Sequence, residues 1–168
     1  MKQQAISAPR PAAGDVMFVS FLAVVAMLFA GFTAAYLIRR PAEDWVPVSL
    51  PVWGWWATGA LTASSVTLEL ARRQGSQQLL NLGLGLGLLF LAGQALSWRE
   101  LASEGVYLRS TPHGAFYFML SAAHGLHLLG GLVGLVLTSR RKGDLKHIAG
   151  YWHFMGLVWL YTLFLLTT

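Results

Sequence analysis

Five long stretches without a charged side chain alternate with short polar segments along this sequence. They cover residues 16–38, 46–68, 79–98, 110–139 and 148–168, with lengths of 23, 23, 20, 30 and 21 residues. An α-helix of about 20 apolar residues crosses a hydrocarbon core of roughly 30 Å. Each stretch is therefore long enough to span a membrane as a helix.

The pattern predicts an all-α protein, an integral membrane bundle of five transmembrane helices in a single domain over residues 1–168. Pro41 and Pro47 stop a helix after the first stretch. Thr111 and Pro112 open the fourth, with a capping hydroxyl followed by a proline at the first helical position. We expect the helices to cover residues 16–38, 50–71, 79–102, 112–138 and 147–167.

The composition is that of a membrane protein and leaves no stretch for a soluble domain. Hydrophobic residues make up 55% of the chain and charged residues 11%, against about a quarter charged in soluble domains. The first span lacks a clear small-residue cleavage site, so we expect it to be retained. Because the sequence contains no cysteine, disulfides, thiolate metal sites and thioether-linked haem are excluded.

The net charge of +5 comes from basic residues at predicted helix ends, so it indicates orientation rather than nucleic-acid binding. A cytoplasmic N-terminus places eight basic residues on the cytoplasmic side: Lys2, Arg10, Arg72, Arg73, Arg140, Arg141, Lys142 and Lys146. The other side then holds four: Arg39, Arg40, Arg99 and Arg109. The excess predicts a cytoplasmic N-terminus and a C-terminus on the opposite side.

Besides His113 and His147, which stand at the very start of the predicted fourth and fifth helices, three histidines lie within predicted spans. A polar side chain there usually marks a site, a relay or an interhelical bond. His124 and His127 are three residues apart on one face of the fourth helix, and His153 lies near the start of the fifth. Imidazoles on facing helices can hold copper, zinc or haem iron. They can equally bond to neighbouring helices, each bond contributing about 0.6–2 kcal/mol. The residues alone leave both readings open.

Carboxylates are missing from the middle of every predicted span. All seven acidic residues fall at helix ends or in loops: Asp15, Glu43, Asp44, Glu69, Glu100, Glu104 and Asp144. A proton carrier normally keeps an ionisable carboxylate in its pathway, and many transporters also show interrupted helices in repeated halves. The sequence therefore disfavours a small transporter that works alone.

Short motifs in a fixed order along all five spans resemble subunit III of the haem-copper oxidases, the cytochrome c oxidase subunit 3 family. Single fragments are weakly specific, but the ordered set is specific. The matching segments are MLFAGFTAAY at residues 27–36, SSVTLELA at 64–71, QALSWREL at 94–101, FYF at 116–118, HGLH at 124–127 and YWHF at 151–154. The chain resembles the bacterial five-helix form of this family.

The resemblance implies an accessory subunit of the bacterial inner membrane with no cofactor of its own. Haem and copper would lie in partner subunits of a proton-pumping enzyme that passes electrons from cytochrome c to oxygen. The chain would pack against subunit I, in a complex that also contains subunit II, stabilise it during turnover and hold phospholipids. Arg140 and Arg141 match the family's position for a lipid-phosphate contact. His124, His127 and His153 would then form interhelical bonds that fix the fourth helix against the fifth.

Two departures from the family pattern keep alternatives open. Val25 stands where the family commonly has a buried glutamate. In the family the YWHF motif is usually followed by any residue and then an aspartate, and Gly156 occupies the position of that aspartate. Roles that depend on those carboxylates do not transfer to this chain. A subunit III-like accessory protein of a nitric oxide reductase or a quinol oxidase remains a second hypothesis. A bis-histidine membrane cytochrome, with His124 or His127 as a ligand, is a more remote one.

Overall fold

The computed structural model describes residues 13–141 and 143–168. Helix is the only regular structure in these ranges, so the all-α prediction is confirmed. Lys2, Arg10 and Lys142, which contribute to the predicted charge asymmetry, lie outside the described residues. The five helices are α1 (Ala13–Arg39), α2 (Val52–Gln74), α3 (Gln77–Ser103), α4 (Pro112–Arg140) and α5 (Lys146–Thr167).

Four of these helices are long and apolar enough to cross a membrane, so the chain is a membrane protein. They are α1, α3, α4 and α5, within the described part of the chain. Helix α2 has 23 residues, but threonines, serines and charged residues make it less apolar than the other four. Length and composition therefore support four of the five predicted membrane spans, and α2 is the one that they do not support.

The hydroxyl groups that lower the hydropathy of α2 bond within the protein. Thr58 and Thr62 donate to the carbonyls of the preceding turn, at 2.8 and 2.9 Å. Ser64 Oγ donates across to the carbonyl of Gly83 on α3, at 2.7 Å. A hydroxyl that bonds internally does not require water, so these residues are compatible with an apolar environment.

Successive helices run in opposite directions, which gives the bundle two distinct ends. At one end, Asp15 at the start of α1 bonds His147 at the start of α5. At the other end, the backbone of Val48 before α2 bonds His113 at the start of α4. We call these the α4–α5 loop end and the α3–α4 loop end.

Helix α5 occupies the centre of the bundle and contacts α1, α2 and α4. Its Trp152 and Trp159 are fully buried, and glycines on neighbouring helices make room for the large rings. A Cβ placed on Gly87 would lie 2.8 Å from the Trp152 ring, and one on Gly131 would lie 2.9 Å from the Tyr151 ring. Helices approach closely at such positions because glycine has no side chain.

Helix α1 is the most peripheral element. Among its 27 residues only Val25, Phe29 and Tyr36 are buried, and it packs on α4 and α5. Its remaining surface is almost wholly apolar, which suits lipid or a membrane-embedded partner.

Candidate functional site

A groove lies between α1 and the α4–α5 pair in the half of the bundle nearest the α4–α5 loop. Its volume is about 710 Å³. Gly130 widens it, because a Cβ at that position would meet nothing within 4 Å. The wall is mainly aromatic and aliphatic, from Phe18, Phe21, Leu126, His127, Gly130, Gly131, Thr138, Asp144, His147, Ile148 and Tyr151. A mainly apolar cavity of this kind fits a hydrocarbon chain better than a polar metabolite.

Polar contacts tie α1 to α5 at the mouth of this groove. The Nε2 atom of His147 lies 2.7 Å from Asp15 Oδ1, and Lys146 Nζ lies 3.7 Å from the same oxygen. The ring of Phe18 packs edge-on against His147, with the centroids 5.0 Å apart. The groove is therefore charged at one end and apolar along the rest of its wall. A phospholipid is divided in the same way, into a charged headgroup and apolar acyl chains.

Arg140 and Arg141 follow one another at the end of α4, on the groove's charged side of the bundle. Both side chains are exposed, and within the described ranges neither forms a salt bridge. A guanidinium at the headgroup layer can bind a lipid phosphate through two parallel hydrogen bonds. Their exposed position is compatible with the lipid-phosphate contact that the family resemblance implies.

His127 faces the groove, and its ring bonds within its own helix. Nδ1 lies 2.8 Å from the carbonyl oxygen of Ala123, one turn earlier. The bond between α4 and α5 at this level comes instead from the Tyr151 hydroxyl, which donates to the backbone oxygen of His127 at 2.9 Å. Tyrosine, rather than the imidazole, joins these helices here.

His124 is fully buried and packs among aromatic rings. Its centroid lies 5.0 Å from Trp159 and 5.4 Å from Phe90, with Phe29 at 6.4 Å. Neither ring nitrogen has a hydrogen-bond partner within residues 13–141 and 143–168. The interplanar angle to Phe90 is 80°, an edge-to-face contact of the kind that aromatic pairs prefer.

His153 connects α5 to α2. Its Nδ1 atom lies 2.5 Å from Ser65 Oγ, and its Nε2 atom lies 3.6 Å from Glu69 Oε2. Arg72 and Arg73 also bind the Glu69 carboxylate, at 2.7 and 2.6 Å. The imidazole thus completes a polar group at the α4–α5 loop end.

These positions correct the predicted pairing in part. His153 does bond another helix, but the partner is α2 rather than α4. Within the described residues the side chains of His124 and His127 make no hydrogen bond to α5: His124 packs on rings, including Trp159 of α5, and His127 bonds its own helix. Spacing along a helix defines which face a residue occupies, but not which neighbour covers that face. Within the described residues no three His, Cys, Asp or Glu side chains form a group that could hold a metal ion.

His113 joins three elements, a role that the sequence did not reveal. The Val48 N–H donates to its Nδ1 atom at 3.0 Å, so Nε2 carries the proton and donates to the Leu166 carbonyl at 3.2 Å. The Trp45 ring packs edge-on against it at 5.4 Å. His113 therefore fastens the α1–α2 loop and the end of α5 to the start of α4. No spacing or motif around it signals these partners.

The α1–α2 loop is also held by a surface ion pair. Arg39 Nη2 lies 2.5 Å from Asp44 Oδ2. The hydrogen bond from Arg39 holds the pKa of the Asp44 carboxyl below its usual range. Both groups are solvent-exposed, so the pair contributes little to stability.

The two positions that depart from the family pattern lie in different surroundings. Val25 is buried on α1, with 2% of its surface exposed. Gly156 borders a cavity of about 250 Å³ that Ser65 and His153 also line, and a Cβ there would meet nothing within 4 Å. Position 156 therefore has room for a larger side chain, whereas position 25 is filled by packed apolar groups.

Three known proteins similar to this chain are named as cytochrome c oxidase subunit 3. The "Probable cytochrome c oxidase subunit 3" of Mycobacterium tuberculosis is 30% identical over 178 residues, covering 90% of this chain and 85% of that protein. The protein of the same name from Nocardia farcinica is 28% identical, covering 94% of this chain and 89% of its own. This chain belongs to the cytochrome c oxidase subunit 3 family.

The "Cytochrome c oxidase subunit 3" of Corynebacterium diphtheriae adds 28% identity over 94% of this chain and 89% of its own length. No protein-family model matches the chain. The subunit 3 relatives align along nearly the whole chain, as the ordered motifs predict, and the resemblance drawn from those motifs is confirmed.

Proposed function

We propose that this chain is the accessory, cofactor-free subunit III of a bacterial proton-pumping cytochrome c oxidase. That enzyme passes electrons from cytochrome c to oxygen, with haem and copper in partner subunits. Family membership carries the proposal, because its relatives are named as subunits of that oxidase. The separate roles of His124, His127 and His153 in packing support the view that none of them is a ligand.

In this proposal all five helices span the inner membrane as one transmembrane domain over residues 1–168. The internal bonds of Thr58, Thr62 and Ser64 support a spanning α2, since they leave no hydroxyl dependent on water. The N-terminus is cytoplasmic and the C-terminus periplasmic. The excess of basic residues toward the α4–α5 loop end in the sequence, eight against four, supports this orientation. Five of the eight are described residues: Arg72, Arg73, Arg140, Arg141 and Lys146.

The chain packs against subunit I, in the complex that also contains subunit II, and stabilises it during turnover. The exposed apolar surface of α1 supports contact with a membrane-embedded partner. The contacts of α5 with α1, α2 and α4 support a bundle that keeps its shape when it joins a larger assembly. A phospholipid lies in the α1 groove with its acyl chain along Phe21 and Leu126, and Arg140 and Arg141 bind phosphate at the headgroup layer. The division of the groove into a charged mouth and an apolar wall supports this placement.

Affinity purification of the tagged chain from native membranes tests the proposal. We expect haem and copper-bearing subunits to copurify, with cytochrome c oxidase activity, in proportion to the chain. Release of the chain in stronger detergent should leave the haem spectrum with the remaining subunits. A haem spectrum that follows the isolated chain would contradict a cofactor-free role and would make the histidines ligands.

The positions of Val25 and Gly156 favour one second candidate, a subunit III-like accessory protein of a nitric oxide reductase or a quinol oxidase. Both positions lack the carboxylates on which some roles of the family depend. The same purification separates the candidates. A copper-bearing subunit that accepts electrons from cytochrome c supports the oxidase, whereas a partner with nitric oxide reductase activity, or one that oxidises quinol, supports the alternative.

A further inference from the structure

A row of polar side chains enters the bundle from the α3–α4 loop end. Gln94, Ser97 and Glu100 follow one another at intervals of three along α3, which places them on one face of that helix. The first turn of α2 contributes Gly54 to the same region, and the second turn of α4 contributes Tyr117. Gln94 and Tyr117 are 4% and 2% exposed, and Ser97 is fully buried.

Several atoms of this row are shielded from solvent and have no hydrogen-bond partner within residues 13–141 and 143–168. They are Oε1 and Nε2 of Gln94, Oη of Tyr117 and Oε2 of Glu100. Ser97 Oγ donates to the Gly93 carbonyl at 3.0 Å, so its lone pairs can accept either from the neighbouring Tyr117 hydroxyl or from water. Buried polar groups are costly when unpaired, and the cost is higher still in a membrane.

Gly54 leaves space beside two of these groups. A Cβ placed on Gly54 would lie 3.7 Å from Ser97 Oγ and 3.7 Å from Tyr117 Oη, with no other neighbouring atom nearer. The Ser97 and Tyr117 hydroxyls therefore both lie beside the Gly54 backbone, where a methyl group would be in ordinary contact with each of them.

We propose that Gln94, Ser97, Tyr117 and Glu100 form a binding site for ordered water between α2, α3 and α4. Water both donates and accepts, as this mixture of groups requires: Gln94 Nε2 and Tyr117 O–H are donors, whereas Gln94 Oε1, Ser97 Oγ and Glu100 Oε2 accept. A cation fits less well, because the amide N–H₂ would point positive charge at it. The bound water joins three helix segments through hydrogen bonds that their side chains do not make directly.

Glu100 connects this site to the surface. Its Oε1 atom accepts from the backbone N–H of Val52 at 3.3 Å, an exposed contact, while its Oε2 atom is shielded from solvent. One oxygen of the carboxylate therefore lies at the protein surface and the other lies in the interior. Water therefore enters and exchanges from this end of the bundle rather than from the lipid-facing sides.

Gly54→Ala tests the site, with Gly59→Ala on the same helix as the matched control. A Cβ at position 59 meets nothing within 4 Å, and one at 54 meets the two hydroxyls at 3.7 Å without a clash. We expect Gly54→Ala in the intact oxidase to displace the water and lower by several degrees the temperature at which this chain dissociates. Gly59→Ala should leave that temperature unchanged. Equal behaviour of the two variants would overturn the proposal.

Removing the polar partners distinguishes lost water from crowding. In a chain that already carries Gln94→Leu and Tyr117→Phe, Gly54→Ala should lower the dissociation temperature no further. A further decrease in that chain would be a steric effect of the methyl group and would count against the site. Electron cryomicroscopy of the oxidase at a resolution that shows water should reveal density within hydrogen-bonding distance of Gln94 and Tyr117. A direct Gln94–Tyr117 bond without such density, or a density surrounded by oxygens at the shorter distances of a metal ion, would refute the water site.

Discussion

Ser65 on α2 and His153 on α5 are joined by a hydrogen bond of 2.5 Å between Oγ and Nδ1. Among His124, His127 and His153, only His153 has a side chain that hydrogen-bonds another helix in the described structure. The bond links α5, the central helix, to the tightly packed α2–α3 hairpin. It also places the imidazole beside Glu69 and the arginines that bind that carboxylate.

Loss of this bond should loosen the contact between α2 and α5. We expect Ser65→Ala and His153→Phe each to destabilise the chain by about 1 kcal/mol, the usual worth of a polar bond between membrane helices. The double variant should cost less than the sum of the two, as measured by unfolding of the chain in mixed micelles. Thr62→Ala is the control, because its hydroxyl bonds only its own helix. Strict additivity would show that the two residues do not interact.

His113→Phe should release the α1–α2 loop while it preserves the aromatic packing against Trp45. The Val48 N–H and the Leu166 carbonyl would lose their partner, at a cost of about 1–3 kcal/mol for each buried group. Limited proteolysis of the oxidase from the side of the α3–α4 loop end should then cut the loop faster. Arg109→Gln, an exposed change at the same end, serves as the control. Unchanged cleavage of the His113 variant would rule out the fastening role.

Two adjacent glycines in the α1 groove should respond differently to substitution. Gly130→Leu extends into open space, so the chain should still fold and assemble but should copurify with less phospholipid, measured by mass spectrometry. Gly131→Leu meets the Tyr151 ring at 2.9 Å and should impair folding instead. Gly85→Leu, also in open space, controls for the added side chain. Lipid content that stays constant in Gly130→Leu would exclude lipid from this groove.

The two departures from the family pattern should also differ when the carboxylates are introduced. Gly156→Asp has room beside His153, so it should assemble into the oxidase at normal yield. Val25→Glu buries a carboxylate among packed apolar side chains and should lower the yield of the complex. Normal assembly of both variants would show that position 25 is less tightly packed than the structure indicates.

Charge-free stretches of the sequence predict the helices well, because membrane thickness sets their length. The fourth stretch contains α4, which begins at Pro112 after the Thr111 cap; the predicted end at residue 138 falls two residues before Arg140. Helix α2 begins at Val52, two residues after the predicted start, since Pro51 lies before its first turn. Local chemistry determines these ends, and the sequence shows it directly.

The partners of the buried polar residues depend on packing that no local pattern encodes. The spacing of His124 and His127 indicates a shared face, yet His124 lies among Phe90 and Trp159 while His127 faces the groove. His113 receives its partners from segments 65 and 53 residues away. Such long-range contacts arise only once the helices have taken their places in the bundle.

Deletion of this chain from the oxidase tests the central claim most directly, with cofactor content and catalytic lifetime measured on the same preparation. An accessory subunit without cofactors predicts that the remaining enzyme keeps its full haem and copper content and its initial rate of cytochrome c oxidation. Its activity should decay after fewer turnovers, and adding the purified chain should restore the lifetime. Loss of haem in proportion to the missing chain, or an unchanged lifetime, would contradict the account.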